Sequence, residues 1–342
     1  MRPHLVLAMS ALSVALLGCG PAAEQTTTGE NLAATVGTQN VGLAAHQAIQ
    51  TPEFEYAEDI NLQLTRELSI FDSLGRAERF KEDLHSDGSG ELALGIIEYA
   101  GFGLPTWIQP TSQLESSYFN RQRYLVKYRD VHLGSQLSLQ RNFRWTEQPG
   151  VVQVAGVDCK RITARSVHNL GDFEFLASVD TNLLLGWTSF DVLGAPVMEM
   201  KTLSLDFTPD HSGVAWAVPA VAEHPYAGPV DEPLLGFSPQ APEYVPPGFY
   251  RLEERLLLTS GIMANLGNIH AALYSDGIHV LFVAQQRTLS SPALSVLSGA
   301  VLVKHAEVGG IRAAEGDVPG RRIYVVSQLP TEELQNVFGS LL

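Results

Sequence analysis

An alternating run of side chains between Phe173 and Phe207 constrains the fold more than any other feature of the chain. In its first segment the apolar residues Phe173, Phe175, Ala177 and Val179 alternate with Glu174, Leu176 and Ser178. Turn-forming residues interrupt the run at 180–182 and again at 193–195. Period-two alternation gives each strand one face towards a core or cavity and one towards water. The run therefore predicts an antiparallel β-meander.

Shorter strand-like runs precede the meander. They are apolar or β-branched segments bounded by Gly, Pro and polar residues, and they cover Tyr118–Asp130, Leu137–Glu147, Val151–Val154 and Cys159–Ser166. Such runs at short spacing are typical of a large antiparallel sheet.

The segment Glu53–His85 has a different pattern. Its apolar residues recur every three to four positions among many charges, at Ile60, Leu64, Leu68, Phe71 and Leu74. This spacing predicts an amphipathic helix, with Gly75 as a point where it could break. We expect that helix to lie as a lid on the sheet.

Eight prolines between Ala217 and Pro247 predict a linker and a domain boundary. Beyond it, strands are expected from Gly248 and at Ile278–Ala284, Val301–Val308 and Arg321–Gln328. A last helix is expected from Thr331, with Leu334, Val337, Phe338 and Leu341 at helical spacing on its buried face. The second unit is therefore predicted to be a small α+β domain.

The N-terminus has the order of a secretory signal. An apolar run from Leu5 to Leu17 is too short to span a bilayer, and Gly18 and Cys19 follow it. The stretch Leu16–Cys19 resembles the lipobox of bacterial lipoproteins, which implies lipid attachment to Cys19, although that family usually has Ala, Ser or Thr where Leu17 stands. The alternative is an ordinary signal peptide with a chance cysteine. Residues 20–51, rich in Ala, Thr, Gly and Gln, predict a flexible tether.

Composition limits the partners and the chemistry. The formal net charge of −15 argues against nucleic acid and against electrostatic binding to anionic lipid headgroups. With Cys19 acylated, Cys159 has no partner for an internal disulfide and is expected to be a buried, inert thiol.

Catalytic signatures are missing from the sequence. It has no G-x-S-x-G, H-E-x-x-H, paired C-x-x-C or G-x-x-x-x-G-K motif. Asp87–Glu91 lacks the spaced acidic ligands of a calcium loop and predicts a turn. We expect a protein that is not an enzyme, with no cofactor, no catalytic residue and no metal site.

Aromatic residues concentrate in the predicted sheet. From the alternation, we expect an apolar cavity for acyl chains lined by Trp145, Phe173, Phe175, Trp187 and Phe207. The alternative is that these side chains simply fill the core. In the second unit, the turn Tyr274–Gly277 is expected to be structural, with Asp276 and Gly277 shaping a hairpin.

Several motifs in order resemble a known family. The stretches VAGVDCKRITARS (Val154–Ser166) and FEFLASVDTNLLLGWTSFDVLGAPVMEMKTLSLDF (Phe173–Phe207) are similar to the LolA-like domain of the periplasmic sigma-factor regulators RseB and MucB. The positions that match are Gly156, Cys159, Asp180, Leu184, Asp191 and Gly194. VPPGFYRL, ALYSDGIHVLFV and the C-terminal VSQLPTEELQNVFGSL resemble that family's second domain.

The resemblance implies a mainly β fold with some α: a LolA-like half-open antiparallel β-barrel with a helical lid, followed by a small α+β domain. The expected division is a signal peptide at 1–18, a tether at 19–52, the β domain at 53–216, a Pro-rich linker at 217–244 and the α+β domain at 245–342.

The resemblance also implies a function. A protein of this family binds the periplasmic domain of an anti-sigma factor, thereby regulates an extracytoplasmic-function sigma factor, and senses acyl lipid in its cavity. Gly20 after Cys19 points to the outer rather than the inner membrane by the rule known from enteric bacteria. The alternative is a lipid or lipoprotein acceptor or carrier in the envelope, with no role in transcription.

Overall fold

The computed structural model describes residues 47–72, 74–101, 126, 129–216, 222–258, 267–287, 304–308, 311–318 and 320–342. The signal peptide 1–18, Cys19 and most of the tether lie outside the described residues, as does most of the predicted strand Tyr118–Asp130, so those predictions stay predictions. In the described part of the chain, no helix has the length and apolar character needed to cross a bilayer.

Among the described residues, the first sheet has nine antiparallel strands in the order β1-β5-β6-β7-β8-β9-β2-β3-β4. The strands are β1 Gln47–Ala48, β2 Asn61–Phe71, β3 Ala77–Asp87, β4 Leu92–Ala100, β5 Phe143–Val154, β6 Val157–Ser166, β7 Asp172–Ser178, β8 Leu184–Phe190 and β9 Pro196–Asp206. In this order β1 and β4 are the two ends, and the sheet is not closed into a barrel. The prediction of a mainly β, half-open antiparallel fold is confirmed.

The predicted helix over Glu53–His85 is wrong. This segment contains a 3-10 turn at Ala57–Asp59 and then the long hairpin of β2 and β3, which turns near Gly75. The helical lid expected there is therefore a pair of strands in the sheet. In β2 the residues that face the core are two apart, beginning with Leu62, Leu64 and Arg66. A charged residue on the buried face concealed that alternation.

The predicted strand Leu137–Glu147 is half wrong. Its first part is helix α1, Gln136–Asn142, and only from Phe143 does the chain enter β5. The Ser135 hydroxyl accepts a hydrogen bond from Ser138 N at 3.3 Å, which caps the helix N-terminus. Leu137 is 67% exposed whereas Leu139 is buried, as one turn of helix on a surface requires.

The meander is confirmed. Strands β7, β8 and β9 pair in sequence, joined by the turns that the sequence predicts. Cys159 on β6 is a free, fully buried cysteine, as expected. Burial and the neighbouring Asp158 charge raise the pKa of its thiol, which keeps it in the less reactive protonated form.

In the part of the chain that the structure describes, the second sheet has seven antiparallel strands in the order β10-β11-β12-β13-β16-β15-β14. They are β10 Ala222–Pro225, β11 Tyr250–Leu258, β12 Ile269–Ser275, β13 Val280–Arg287, β14 Lys304–Val308, β15 Ile311–Val318 and β16 Arg321–Ser327. A short helix α2, Glu232–Leu235, follows β10, and helix α3, Thr331–Gly339, ends the chain. The segment predicted as a Pro-rich linker thus contains a strand of this sheet, β10, and the short helix α2 that follows it.

Two apolar clusters hold the described residues together. One lies between the second sheet and α3, where Leu334, Val337, Phe338 and Leu341 are buried as the sequence predicts. The other is larger, because it joins the inner face of the first sheet to one face of the second, including Ile269, Leu273 and Phe282. The two sheets are therefore parts of one packed body.

Candidate ligand-binding face and domain junction

Four of the five aromatic residues predicted from the sequence meet on the inner face of the first sheet. The register places Trp145 opposite Ala164, Ala164 opposite Phe173, and Phe175 opposite Trp187, so all four rings are on one side. Ring centroids are 5.9 Å apart both for Trp145 and Phe175 and for Phe173 and Phe175, in stacked orientations. Each of the four side chains is at most 5% exposed.

Phe207, the fifth predicted residue, lies elsewhere. It follows the end of β9 and is 50% exposed. The alternation that placed it with the others ends with the strand, one residue earlier. The structure therefore does not bring Phe207 into the aromatic face.

A short segment before β2 covers the aromatic face. The Phe54 ring lies 5.2 Å from that of Phe175. Its neighbour Glu55 is fixed to the first sheet by backbone hydrogen bonds, with Glu55 N donating to Asn182 O at 3.1 Å and Leu184 N donating to Glu55 O at 2.9 Å. The Phe54 ring therefore covers part of the aromatic face.

A buried ionic network lies on the inner face of β2 and β3. Arg66 Nε donates to Glu82 Oε2 at 2.8 Å, and Arg129 donates to both oxygens of Glu82 at 2.7 and 2.9 Å. Asp130 lies 2.7 Å from Arg66 and 2.9 Å from Arg129. Two cations therefore offset two carboxylates, which is the condition under which buried charges are tolerated.

The two arginines favour the charged form of Asp130. Burial acts to raise the pKa of Asp130, but Arg129 and Arg66 outweigh it and hold that pKa below its ordinary value. Sequence reasoning missed this cluster because Arg66 and Glu82 were assigned to a helix. In the hairpin of β2 and β3 they are directly opposite. Each is a single charged residue at a position where the alternation of a strand would require an apolar one. That exception to the pattern was the signal that could have revealed the pair.

Several buried polar atoms on the inner face lack a hydrogen-bond partner among the described residues, and three of them are donors on strands. They are Trp145 Nε1, Arg66 Nη2 and Thr202 Oγ1. Arg66 and Thr202 are opposite each other in the register of β2 and β9. Buried donors are almost always paired, so these atoms indicate a place for a bound water or a polar ligand group.

A polar junction connects the two sheets. Asn142, at the end of α1, donates through Nδ2 to Asp276 O at 2.6 Å and to Gly248 O at 3.0 Å. Its Oδ1 lies 3.2 Å from His168 Nε2. One amide from the first domain thus satisfies two carbonyl groups of the second.

The turn after β12 forms the other half of the junction. The fully buried Asp276 carboxylate accepts from Ile278 N at 3.0 Å and His279 N at 2.8 Å, and lies 2.8 Å from His279 Nδ1. The His279 ring in turn packs against Phe143 and Phe173, with centroids 6.1 and 4.8 Å away. The hairpin expected at Asp276 and Gly277 is present, and the same turn inserts into the first domain.

Solved structures of MucB are similar to this chain. No family model matches the sequence, and no curated protein matches it. A MucB structure in complex with MucA(peri) matches at 15% identity, 82% coverage of this chain, 92% of that chain and a TM-score of 0.43. The Pseudomonas aeruginosa MucA/MucB complex matches at 14% identity, 81% and 90% coverage and a TM-score of 0.42.

A more distant match is a DUF1329 family protein from Desulfovibrio piger ATCC 29098. It has 10% identity, covers 44% of this chain and 88% of that one, and has a TM-score of 0.17. The MucB structures are of the kind that the sequence motifs resemble.

Proposed function

We propose that this protein is a non-enzymatic envelope regulator that binds the periplasmic domain of an anti-sigma factor and releases it when an amphiphilic lipid occupies the inner face of the first sheet. Lipid attached to Cys19 anchors the protein in a membrane. Gly20, the residue after Cys19, favours the outer membrane. The family resemblance of the motifs suggests the class of partner, and one of the similar MucB structures is a complex with MucA(peri).

The observation that carries the lipid part of the proposal is the composition of the inner face. The inner face carries buried aromatic rings and also Trp145 Nε1, Arg66 Nη2 and Thr202 Oγ1, which lack hydrogen-bond partners among the described residues. An apolar surface with a few polar groups is the usual design of a small-molecule site. An amphiphile with an acyl chain and an acceptor-rich headgroup has the complementary chemistry.

Coupling to a partner follows from the shared core. Phe173 belongs to the aromatic face and also contacts His279 in the junction. A ligand that moves Phe54 and the rings beneath it therefore changes the packing between the two sheets. A ligand shifts a conformational equilibrium only through different affinity for the two states, and here the difference arises from the displaced aromatic contacts.

The test uses the mature chain with Cys19→Ala, so that it can be purified without detergent. Its binding to the periplasmic domain of each anti-sigma factor encoded by the same organism is measured by biolayer interferometry, with and without a short-chain lysophospholipid. We expect binding to one anti-sigma domain, weakened several-fold by the lipid. Absence of binding to every anti-sigma domain would contradict the regulator.

A matched pair of variants tests the lipid site. Thr202→Val removes the unpaired hydroxyl on the inner face, and Thr188→Val makes the same change on β8, where Thr188 is partly exposed. We expect Thr202→Val to alter lysophospholipid affinity several-fold and Thr188→Val to leave it unchanged. Equal behaviour of the two variants would place the lipid elsewhere.

The second candidate is a lipid or lipoprotein acceptor or carrier without a role in transcription, which the same inner face favours. Stoichiometric acyl lipid in the purified chain, together with no anti-sigma binding, would establish it over the regulator. Anchoring is tested separately: mass spectrometry of the N-terminal peptide from membranes should give a diacylated Cys19.

A further inference from the structure

Two histidines from distant parts of the chain meet on the outer face of the first sheet. His85 is on β3, on the side opposite Leu84, and His211 lies in the segment that follows β9. Their Nδ1 atoms are 3.3 Å apart although the residues are 126 positions apart in sequence. Nothing in the proposed function uses this pair.

Hydrogen bonds on the far side of each ring determine where the ring protons are. His85 Nε2 lies 3.1 Å from Asp83 Oδ2, and His211 Nε2 lies 2.8 Å from Asn61 Oδ1. Both of these oxygens are acceptors, so each Nε2 carries the hydrogen. In the neutral rings, both Nδ1 atoms then present lone pairs to each other. Two facing acceptors repel unless a cation or a proton lies between them.

The distance between the two nitrogens suits a metal ion. Two imidazole nitrogens bound about 2.0–2.1 Å from a tetrahedral zinc ion lie roughly 3.3–3.4 Å apart. We infer that His85 and His211 form a two-histidine site for a zinc-type divalent cation.

The surroundings of the pair are those of a metal site. Metal-binding histidines usually donate the other ring N–H to a carboxylate or carbonyl, which orients the ring, and Asp83 and Asn61 occupy these positions. Gln63 Nε2 holds Asp83 in turn, at 3.1 Å from each carboxylate oxygen. The Trp216 ring packs on His211 with centroids 5.2 Å apart.

The ligand set defines the kind of binding. Among the described residues, no three His, Cys, Asp or Glu side chains converge as a metal-binding group. Water therefore completes the coordination, and the His85 side chain is 17% exposed, so solvent reaches the site. Zinc binding at two histidines is reversible and of moderate affinity. The bound cation links the segment after β9 to β3 through His211 and His85.

The sequence contains no trace of this site. Zinc motifs are recognised by ligands a few residues apart, whereas these two come together only because β9 and β3 both flank β2.

The experiment uses the mature chain with Cys19→Ala and Zn²⁺ as the titrant, followed by isothermal titration calorimetry. We expect one zinc ion bound per chain. His85→Gln and His211→Gln should each reduce the affinity at least tenfold. His224→Gln, a partly exposed histidine on β10, should not change it.

A second measurement on the unaltered rings guards against variants that fail to fold. Co²⁺ in place of Zn²⁺ should give the visible absorption of a tetrahedral nitrogen-ligated ion, and addition of Zn²⁺ should remove it. No stoichiometric zinc binding, or equal binding by the wild-type chain and both variants, would overturn the site and leave a pair of histidines that share a proton.

Discussion

Asn142 binds two backbone carbonyl groups that are each more than a hundred residues away from it in sequence. Its side chain is 4% exposed and donates to Gly248 O and Asp276 O. Asn142→Ala would leave both carbonyl groups without this donor inside the junction. Loss of a buried partner costs about 1–3 kcal/mol, so we expect the free energy of unfolding to fall by that amount in a urea titration.

The control for this change is on the same helix. Gln140 is exposed, and Gln140→Ala should change stability by about 0.5 kcal/mol or less. Equal effects of the two substitutions would mean that the junction bonds contribute nothing beyond helix propensity.

Glu78 makes stability depend on pH. Burial, helped by the charge of Asp72, raises the pKa of this carboxyl from its ordinary value of 4.5 to about 7. The folded state therefore prefers the protonated form. Its contribution to stability is complete below pH 4.5 and is lost as the pH rises through 7.

Replacement by glutamine should remove this dependence. Because Glu78 is partly exposed, solvent screening reduces the effect to on the order of 1 kcal/mol. We expect Glu78→Gln to be more stable than wild type by that amount at pH 8 and equal to it at pH 4, measured by urea unfolding. The exposed residue Glu98 gives the control, since Glu98→Gln should show no such difference.

Among the elements, the C-terminal helix α3 depends on one buried face. Phe338 is 2% exposed and packs on the second sheet with Leu334 and Val337. Phe338→Ala should cost about 3–5 kcal/mol through lost burial and the remaining cavity. The exposed Gln335 on the same helix is the comparison, and thermal unfolding followed by circular dichroism would measure both. A small effect of Phe338→Ala would mean that the helix is not needed to cover the sheet.

The success of sequence reasoning differed between elements for a physical reason. The meander was predictable because Phe173, Phe175 and Ala177 are apolar at a period that only a strand fits. Leu64 and Leu68, in contrast, are four residues apart, and that spacing fits a helix as well as a strand. Arg66 between them is charged yet buried, and its partners lie on another strand and a distant segment.

The same limit applies to the candidate site. Alternation within their own strands is enough to place four aromatic residues on one face, whereas their role in lining a cavity stays a prediction. The donors without partners and the junction were not predictable, since they depend on long-range register: Thr202 faces Arg66 only through the pairing of β9 with β2. The local sequence pattern predicts which face of its strand a residue occupies, but it does not predict which residue lies opposite on the neighbouring strand.

At the scale of the whole molecule, one apolar cluster spans both sheets. The two units should therefore unfold together. We expect the urea midpoint from tryptophan fluorescence, to which Trp145 and Trp187 of the first sheet are two of the four contributors, to equal the midpoint from hydrogen exchange of β12 and β13 in the second. Separate midpoints would show that the sheets are independent.

A substitution at Gly277, in the junction, also tests whether the two sheets depend on each other for stability. Its φ is +114°, and a Cβ there would lie 3.0 Å from Leu139 Cδ2 in the first domain. Gly277→Ala should lower the stability of both sheets by about 1–3 kcal/mol. Gly95 on β4 has open space around it, so Gly95→Ala is the matched control.

The strand order has a consequence for biosynthesis. The chain leaves the ribosome or a translocation channel N-terminus first, and β2 is complete long before β9 can pair with it. Until residue 206 has emerged, one edge of β2 has unpaired backbone donors and acceptors. The inner face of the first sheet stays uncovered for longer, until residues 269–326 of the second sheet have also emerged. Such a nascent chain is prone to pair with other chains. The protein should therefore require a holding chaperone during its synthesis and delivery, and its yield should fall more steeply with expression rate than that of a protein with only local pairing.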